Sequence, residues 1–242
     1  MKKIVLLSAI LLAVSGCFIG KLYTEKDYFF YEHMTDLIHF YDDMVISREY
    51  EEPDKWDLSI DVHKYLRLQQ TSLQGEDKAL FDAVCAKHGD VNYNKKEPIL
   101  NHPHLWFFSP DIVYLTIVSD KDFDSDHQAG SSLNDCFVLF GKSMYPKMNP
   151  DWTDRIRGGH LLSEVLPHDL EMLQSYSSSR QRVYKYRTDE DLEWSGLAKL
   201  CVSRLPESNQ VHKLTFTFTV EDGVTYESSI EYDFSNSILG RK

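Results

Sequence analysis

Residues 214–234, LTFTFTVEDGVTYESSIEYDF, alternate apolar and polar side chains on both sides of an Asp-Gly step. A period of two is that of a strand with one buried face, so the stretch reads as a β-hairpin. A two-residue Asp222-Gly223 turn would oppose Phe218 to Glu227 and Phe216 to Ser229, setting charge against the aromatic face. A three-residue loop, Glu221-Asp222-Gly223, opposes Val220 to Val224, Phe218 to Tyr226 and Leu214 to Ile230. Side-chain pairing selects the three-residue loop, with Gly223 left-handed in a G1 bulge.

The same period runs through Trp56, Leu58, Ile60, Val62, Leu66 and Leu68, with Asp57, Ser59, Asp61, His63 and Arg67 between them. It predicts a single strand with one wet face. Residues 112–118, IVYLTIV, are apolar at both parities and predict a central strand buried on both faces. The aromatic runs 28–31 and 37–41 predict one broken strand, and 136–140, 182–187 and 194–204 give weaker strand signals. Helix is a minority. Residues 76–88 place Leu80, Phe81, Val84 and Cys85 on one face, with acids in the first turn and Gly89 as a stop. A second short helix fits between Leu161 and Leu173, interrupted at Pro167, while 90–110 and 141–159 read as loop. The expected fold is mainly β: an antiparallel β-sandwich of immunoglobulin-like architecture with one or two short inserted helices.

The N-terminus reads as an address. Lys2 and Lys3 precede an apolar run from Ile4 to Val14, too short to span a bilayer and suited to a secretory signal. Val14-Ser15-Gly16-Cys17 resembles the lipobox of bacterial lipoproteins, which implies cleavage before Cys17 and diacylation of its thiol. Two acyl chains give stable anchoring where one is marginal. The organisation expected is a signal peptide over 1–16, a lipidated tether over 17–26 and a single domain over 27–242. Cleavage removes sixteen residues and two lysines, so the net charge moves from −12 to −14 over 226 residues. Such acidity argues against nucleic-acid binding. It leaves the membrane, through the lipid, as the first expected partner, with a protein or glycan of the cell envelope as the second.

Three cysteines remain, Cys85, Cys136 and Cys201, so at most one pair can form. No two stand at C-x-x-C spacing. The densest polar segment, 119–135, alternates Asp120, Asp122, Asp124 and Asp126. Alternating carboxylates in a loop suit calcium, the one cofactor the sequence suggests. An EF-hand is excluded, because Ser125 replaces its glycine and Ser131 its bidentate glutamate. His102-Pro103-His104 is poorly spaced for one ion, since an extended chain sends the two rings to opposite sides. His88, His127, His160, His168 and His212 show no ligand spacing, and no nucleophile-elbow, zinc-protease or P-loop motif is present. Asp42-Asp43 and Glu49, Glu51, Glu52 and Asp54 read as solvated charge rather than paired glycosidase carboxylates. Trp106, Trp152 and Trp194 could stack on sugars.

The segment 113–137, VYLTIVSDKDFDSDHQAGSSLNDCF, resembles one in small lipoproteins of Bacteroidales. The aromatic strand soon after the lipid cysteine and the Thr-Phe-rich final hairpin are similar to that group too. The resemblance implies an exported, anchored, β-rich protein with no established activity. Acidic residues after the lipid cysteine often mark surface export in these bacteria; here the run is Phe18-Ile19-Gly20-Lys21, so either side of the outer membrane stays open. The expectation is a non-enzymatic binding or structural lipoprotein. A carbohydrate-binding accessory of an outer-membrane uptake system is the alternative, and an anchored hydrolase the third reading.

Overall fold

A computed structural model describes residues 28–41, 44–48, 55–62, 65–98, 105–143, 145, 149, 151, 153, 155–174, 195–208 and 210–241. Cys17, the 182–187 segment, His102-Pro103-His104, Trp152, Trp194 and the acids at 42–43, 49, 51, 52 and 54 lie outside the described residues.

The protein is mainly β, with several antiparallel sheets and two α-helices among the described residues. A five-stranded sheet runs β10 (His160–Leu161), β9 (Phe137–Phe140), β11 (Ser195–Val202), β4 (Leu58–Val62), β3 (Met44–Arg48). A three-stranded sheet runs β13 (Thr225–Asp233), β12 (Val211–Val220), β8 (Ile112–Ser119). The two share one core, in which Ile46, Leu58, Ile60, Val62, Leu139 and Leu200 meet Leu115, Ile117, Leu214, Phe216 and Phe218. This shared core is consistent with the expected sandwich. A third sheet, β5 (Tyr65–Leu68), β2 (Thr35–Phe40), β7 (Leu105–Ser109), pairs β2 with β7 in parallel, a departure from all-antiparallel order. Helix α1 (Gly75–Lys87) packs Phe81 and Cys85 against Leu37, Leu68 and Phe107 of that sheet. β1 (Tyr28–Tyr31) and β6 (Lys95–Pro98) form a two-stranded ribbon. The second helix, α2 (Pro167–Leu170), begins at the proline expected to interrupt it. Proline fits the first turn, where its missing N–H has no intrahelical partner.

The hairpin has the register that side-chain pairing selects: Phe218 faces Tyr226 and Leu214 faces Ile230. Gly223 is left-handed at φ 83°, and its N–H donates to the Val220 carbonyl at 2.9 Å. Four expectations are corrected. The Trp56–Leu68 strand is two strands, β4 and β5, in different sheets. All five β4 residues are buried, so its polar face is not wet. It sits between β3 and β11, whose side chains satisfy it: Ser47 Oγ donates to Asp61 at 3.2 Å and Lys199 Nζ to Ser59 Oγ at 3.0 Å. β8 is buried on one face only, with Tyr114 exposed on the other, and Asn134 lies along its second edge. The aromatic runs at 28–31 and 37–41 belong to separate sheets. Strands β6 and β7 occupy part of the stretch expected to be loop.

Candidate functional site

The turn between β1 and β2, the start of β2 and the C-terminal end of α1 converge on three side chains. His33 comes from the turn, Cys85 from the helix, and Asp90 from just beyond Gly89, which takes φ 72° to let the chain reverse. All three are buried. A ring nitrogen of His33, Sγ of Cys85 and a carboxylate oxygen of Asp90 lie within 4.8 Å of one another.

Each of these groups is held by others. The Met34 N–H donates to Asp90 Oδ1 at 2.7 Å, and the Thr35 N–H and hydroxyl donate to Oδ2 at 3.0 and 2.5 Å. His33 Nδ1–H donates to the Asp90 backbone carbonyl at 2.5 Å, which leaves the imidazole lone pair on Nε2. Gln70 brackets the turn: its side-chain oxygen accepts from His33 N at 3.0 Å, and its amide donates to the His33 carbonyl at 3.0 Å and the Thr35 carbonyl at 3.2 Å. The His33 ring meets Phe81 edge-on at 5.1 Å. Burial pushes the Cys85 thiol far above its ordinary range, and the carboxylates of Asp90, Asp82 and Asp36 push it further. A thiol so protonated is not a nucleophile.

A cleft of about 250 Å³ opens beside His33, lined also by Phe30, Glu32, Gln70, Leu73, Lys78 and Phe81. Its volume is near the lower bound for small-molecule pockets. At its mouth Lys78 Nζ bridges both Asp82 oxygens at 2.8 Å and stands 3.9 Å from Glu32. The hydrogen bond to Asp82 raises the Lys78 pKa, with the neighbouring carboxylates adding to it. The rim thus offers paired charges, an amide and exposed aromatic surface at Phe30.

In the Asp120–Asp126 loop, the calcium candidate of the sequence, backbone N–H groups hold three of the four carboxylates. Asp120 Oδ1 accepts the Lys213 N–H at 2.8 Å, Asp122 Oδ1 accepts that of Ala129 at 2.8 Å, and Asp126 is exposed. Asp124 Oδ1 accepts both the Asp126 and His127 N–H groups at 2.9 Å. Among the described residues, none of these four belongs to a group of three ligand atoms within 4.8 Å. Asp124 instead joins an ion network. His127 Nδ1 donates to Asp124 at 2.6 Å and Nε2 to Asp135 at 2.9 Å, while Arg204 reaches Asp124 at 3.3 Å. Two donating ring nitrogens make an imidazolium. Burial opposes both ionisations and is outweighed: the hydrogen bonds hold the Asp124 carboxyl down at about 2 and raise His127.

A third cluster centres on buried Asp111, which accepts from His88 Nε2 at 2.9 Å, Lys87 Nζ at 2.5 Å and Met172 N at 2.9 Å. Lys87 also pairs with Glu221, tying α1 to the hairpin. Trp106 is half-buried against the core, with the Arg67 guanidinium 6.0 Å from its ring centroid.

Sequence reasoning missed the His33 site because its members are separated by up to 57 residues and follow no short spacing. Only the Gly89 stop, which turns Asp90 back toward β2, carried a local signal. Compared with known proteins, the chain matches no protein-family model, no curated protein and no solved structure.

Proposed function

We propose that this chain is a lipid-anchored, non-enzymatic binding module of the bacterial cell envelope, held at the outer membrane through Cys17 and taking a small polar ligand in the His33 cleft. The observation that carries the anchor is the sequence itself: Lys2-Lys3, the Ile4–Val14 apolar run, and Val14-Ser15-Gly16-Cys17 at its end. Among the described residues no helix is long and apolar enough to cross a membrane. The binding role is supported by the cleft, where fixed polar groups surround a buried histidine. The non-enzymatic reading is supported by the thiols. Burial raises all three, Cys136 to about 12 and Cys201 to about 11, so none is an activated nucleophile.

The test is metabolic labelling with a palmitate analogue, followed by membrane fractionation. The wild-type chain takes the label and sediments with the outer membrane. Cys17→Ser loses the label and the membrane association. A labelled Cys17→Ser chain overturns the reading.

A carbohydrate-binding accessory of an outer-membrane uptake system is favoured by one observation: Phe30, 59 % exposed, stands on the cleft rim beside Glu32 and Gln70. An exposed ring flanked by hydrogen-bonding groups suits the apolar face and hydroxyls of a sugar. Retention on a polysaccharide gel that is lost in Phe30→Ala supports this version. No retention on any polysaccharide excludes it.

A further inference from the structure

We infer that His33, Cys85 and Asp90 form a binding site for a borderline-soft divalent cation, with zinc as the ion that fits it. The inference does not rest on the lipid anchor, and it stands whether or not the cleft takes an organic ligand.

Nitrogen, sulfur and oxygen donors in one set select zinc-like ions over calcium, which uses oxygen donors alone. Bonds of about 2.0–2.3 Å put the ligands of a tetrahedral zinc roughly 3.3–3.8 Å apart. The three donors lie within 4.8 Å of one another, so a short closing movement of side chains gathers them.

The supporting shell is in place. His33 Nδ1 donates to the Asp90 carbonyl, the bond that a histidine ligating through Nε2 makes with its other ring nitrogen. A ligating carboxylate is itself hydrogen-bonded, and Asp90 is held by Met34 and Thr35. Asp90 Oδ1 accepts from Met34 N, and a carboxylate oxygen has a second lone pair to offer an ion. Asp82 Oδ1 stands 3.7 Å from His33 Nε2 and is paired with Lys78, so it adds negative charge near the site rather than a ligand.

Electrostatics single out this cluster. In the His127, Asp135 and Cys136 group the Arg204 guanidinium stands 3.9 Å from Asp135, and in the His88, Asp111 and Glu171 group the Lys87 ammonium already pairs with Asp111. Around Cys85 the carboxylates of Asp36, Asp82 and Asp90 gather negative charge, which Lys78 offsets in part from the surface. Binding ionises the thiol: the S–H bond breaks, a sulfur–metal bond forms, and the proton leaves to solvent. His33 lines both the cluster and the cleft, so a bound ion stands at the border of the pocket.

The experiment loads the purified full-length chain in detergent with zinc, removes free metal by gel filtration, and measures the metal retained. A parallel titration uses cobalt(II), whose bond to a thiolate gives a near-ultraviolet charge-transfer band. One zinc per chain, a cobalt band, and loss of both in Cys85→Ser but not in Cys201→Ser are expected. Thr35→Val, which removes a hydroxyl from the supporting shell, weakens zinc by about 10–100-fold. Circular dichroism shows that each variant is folded. Zinc well below one per chain, a band that persists in Cys85→Ser, or equal retention of calcium overturns the inference.

Discussion

The carboxylate of Asp57 accepts the hydroxyl of Tyr232 at 3.2 Å, although the two residues are 175 positions apart. The same carboxylate accepts the Val202 N–H at 2.8 Å and the Ile238 N–H at 2.7 Å. One buried side chain thus gathers the start of β4, the end of β11, β13 and the turn after it. Burial, with the Asp57 charge, pushes the Tyr232 phenol far above its usual range, so it stays a donor.

Asp57→Ala leaves those buried donors without an acceptor. It destabilises the fold by about 2–4 kcal/mol, since each stranded group costs its own desolvation. Chemical denaturation of the two proteins side by side checks this. A change within experimental error refutes the hub.

Gly223→Val forces a β-branched residue to the φ of 83° that closes the hairpin loop. The expected loss is roughly 1–3 kcal/mol. A Cβ at Gly223 meets no neighbour within 4 Å, so the loss is conformational rather than a clash. Gly223→Asn, a residue that tolerates the left-handed region, should recover most of it. Thermal melts of the pair provide the comparison.

Asn134 stands in for a strand at the outer edge of β8. Its Oδ1 accepts the Ile117 N–H at 3.0 Å and its amide donates to the Leu115 carbonyl at 2.8 Å. Asn134→Leu uncaps both groups, at a cost of about 1–3 kcal/mol. It also exposes a pairing edge, so light scattering at raised concentration should report association absent from the wild type.

The His127–Asp124 pair gives stability a pH window. Asp124 is held down at about 2 against an ordinary 3.8, so its contribution is present above 3.8 and fades as pH falls toward 2. His127 is raised above 6.5, so its contribution is complete below 6.5 and is lost as pH climbs through the folded value. His127→Gln should therefore lower Tm most between about pH 4 and 6.5, by roughly 2–4 °C, and least above pH 8. A deficit that grows toward alkaline pH contradicts the pairing.

The fold was legible where neighbours in sequence decide it. The hairpin register follows from which side chains face each other across a three-residue loop. α1 follows from an apolar face and a glycine stop. β4 misled because its Asp and Ser residues look solvated, whereas Ser47 and Lys199 from flanking strands cover their hydrogen-bonding needs. The aspartates after β8 show what alternation alone does not carry: backbone N–H groups take an oxygen each of Asp120, Asp122 and Asp124. His33, Cys85 and Asp90 meet only because a turn, a helix and a return loop cross, and no short-range pattern encodes such a crossing.

β8 pairs with β12, which lies far downstream: Ser119 and His212, hydrogen-bonded at 2.7 Å, are 93 residues apart. A chain emerging amino-end first therefore carries the apolar face of β8 uncovered until its final hairpin arrives. Assembly of the larger core therefore waits on β12 and β13, and such non-local pairing slows folding.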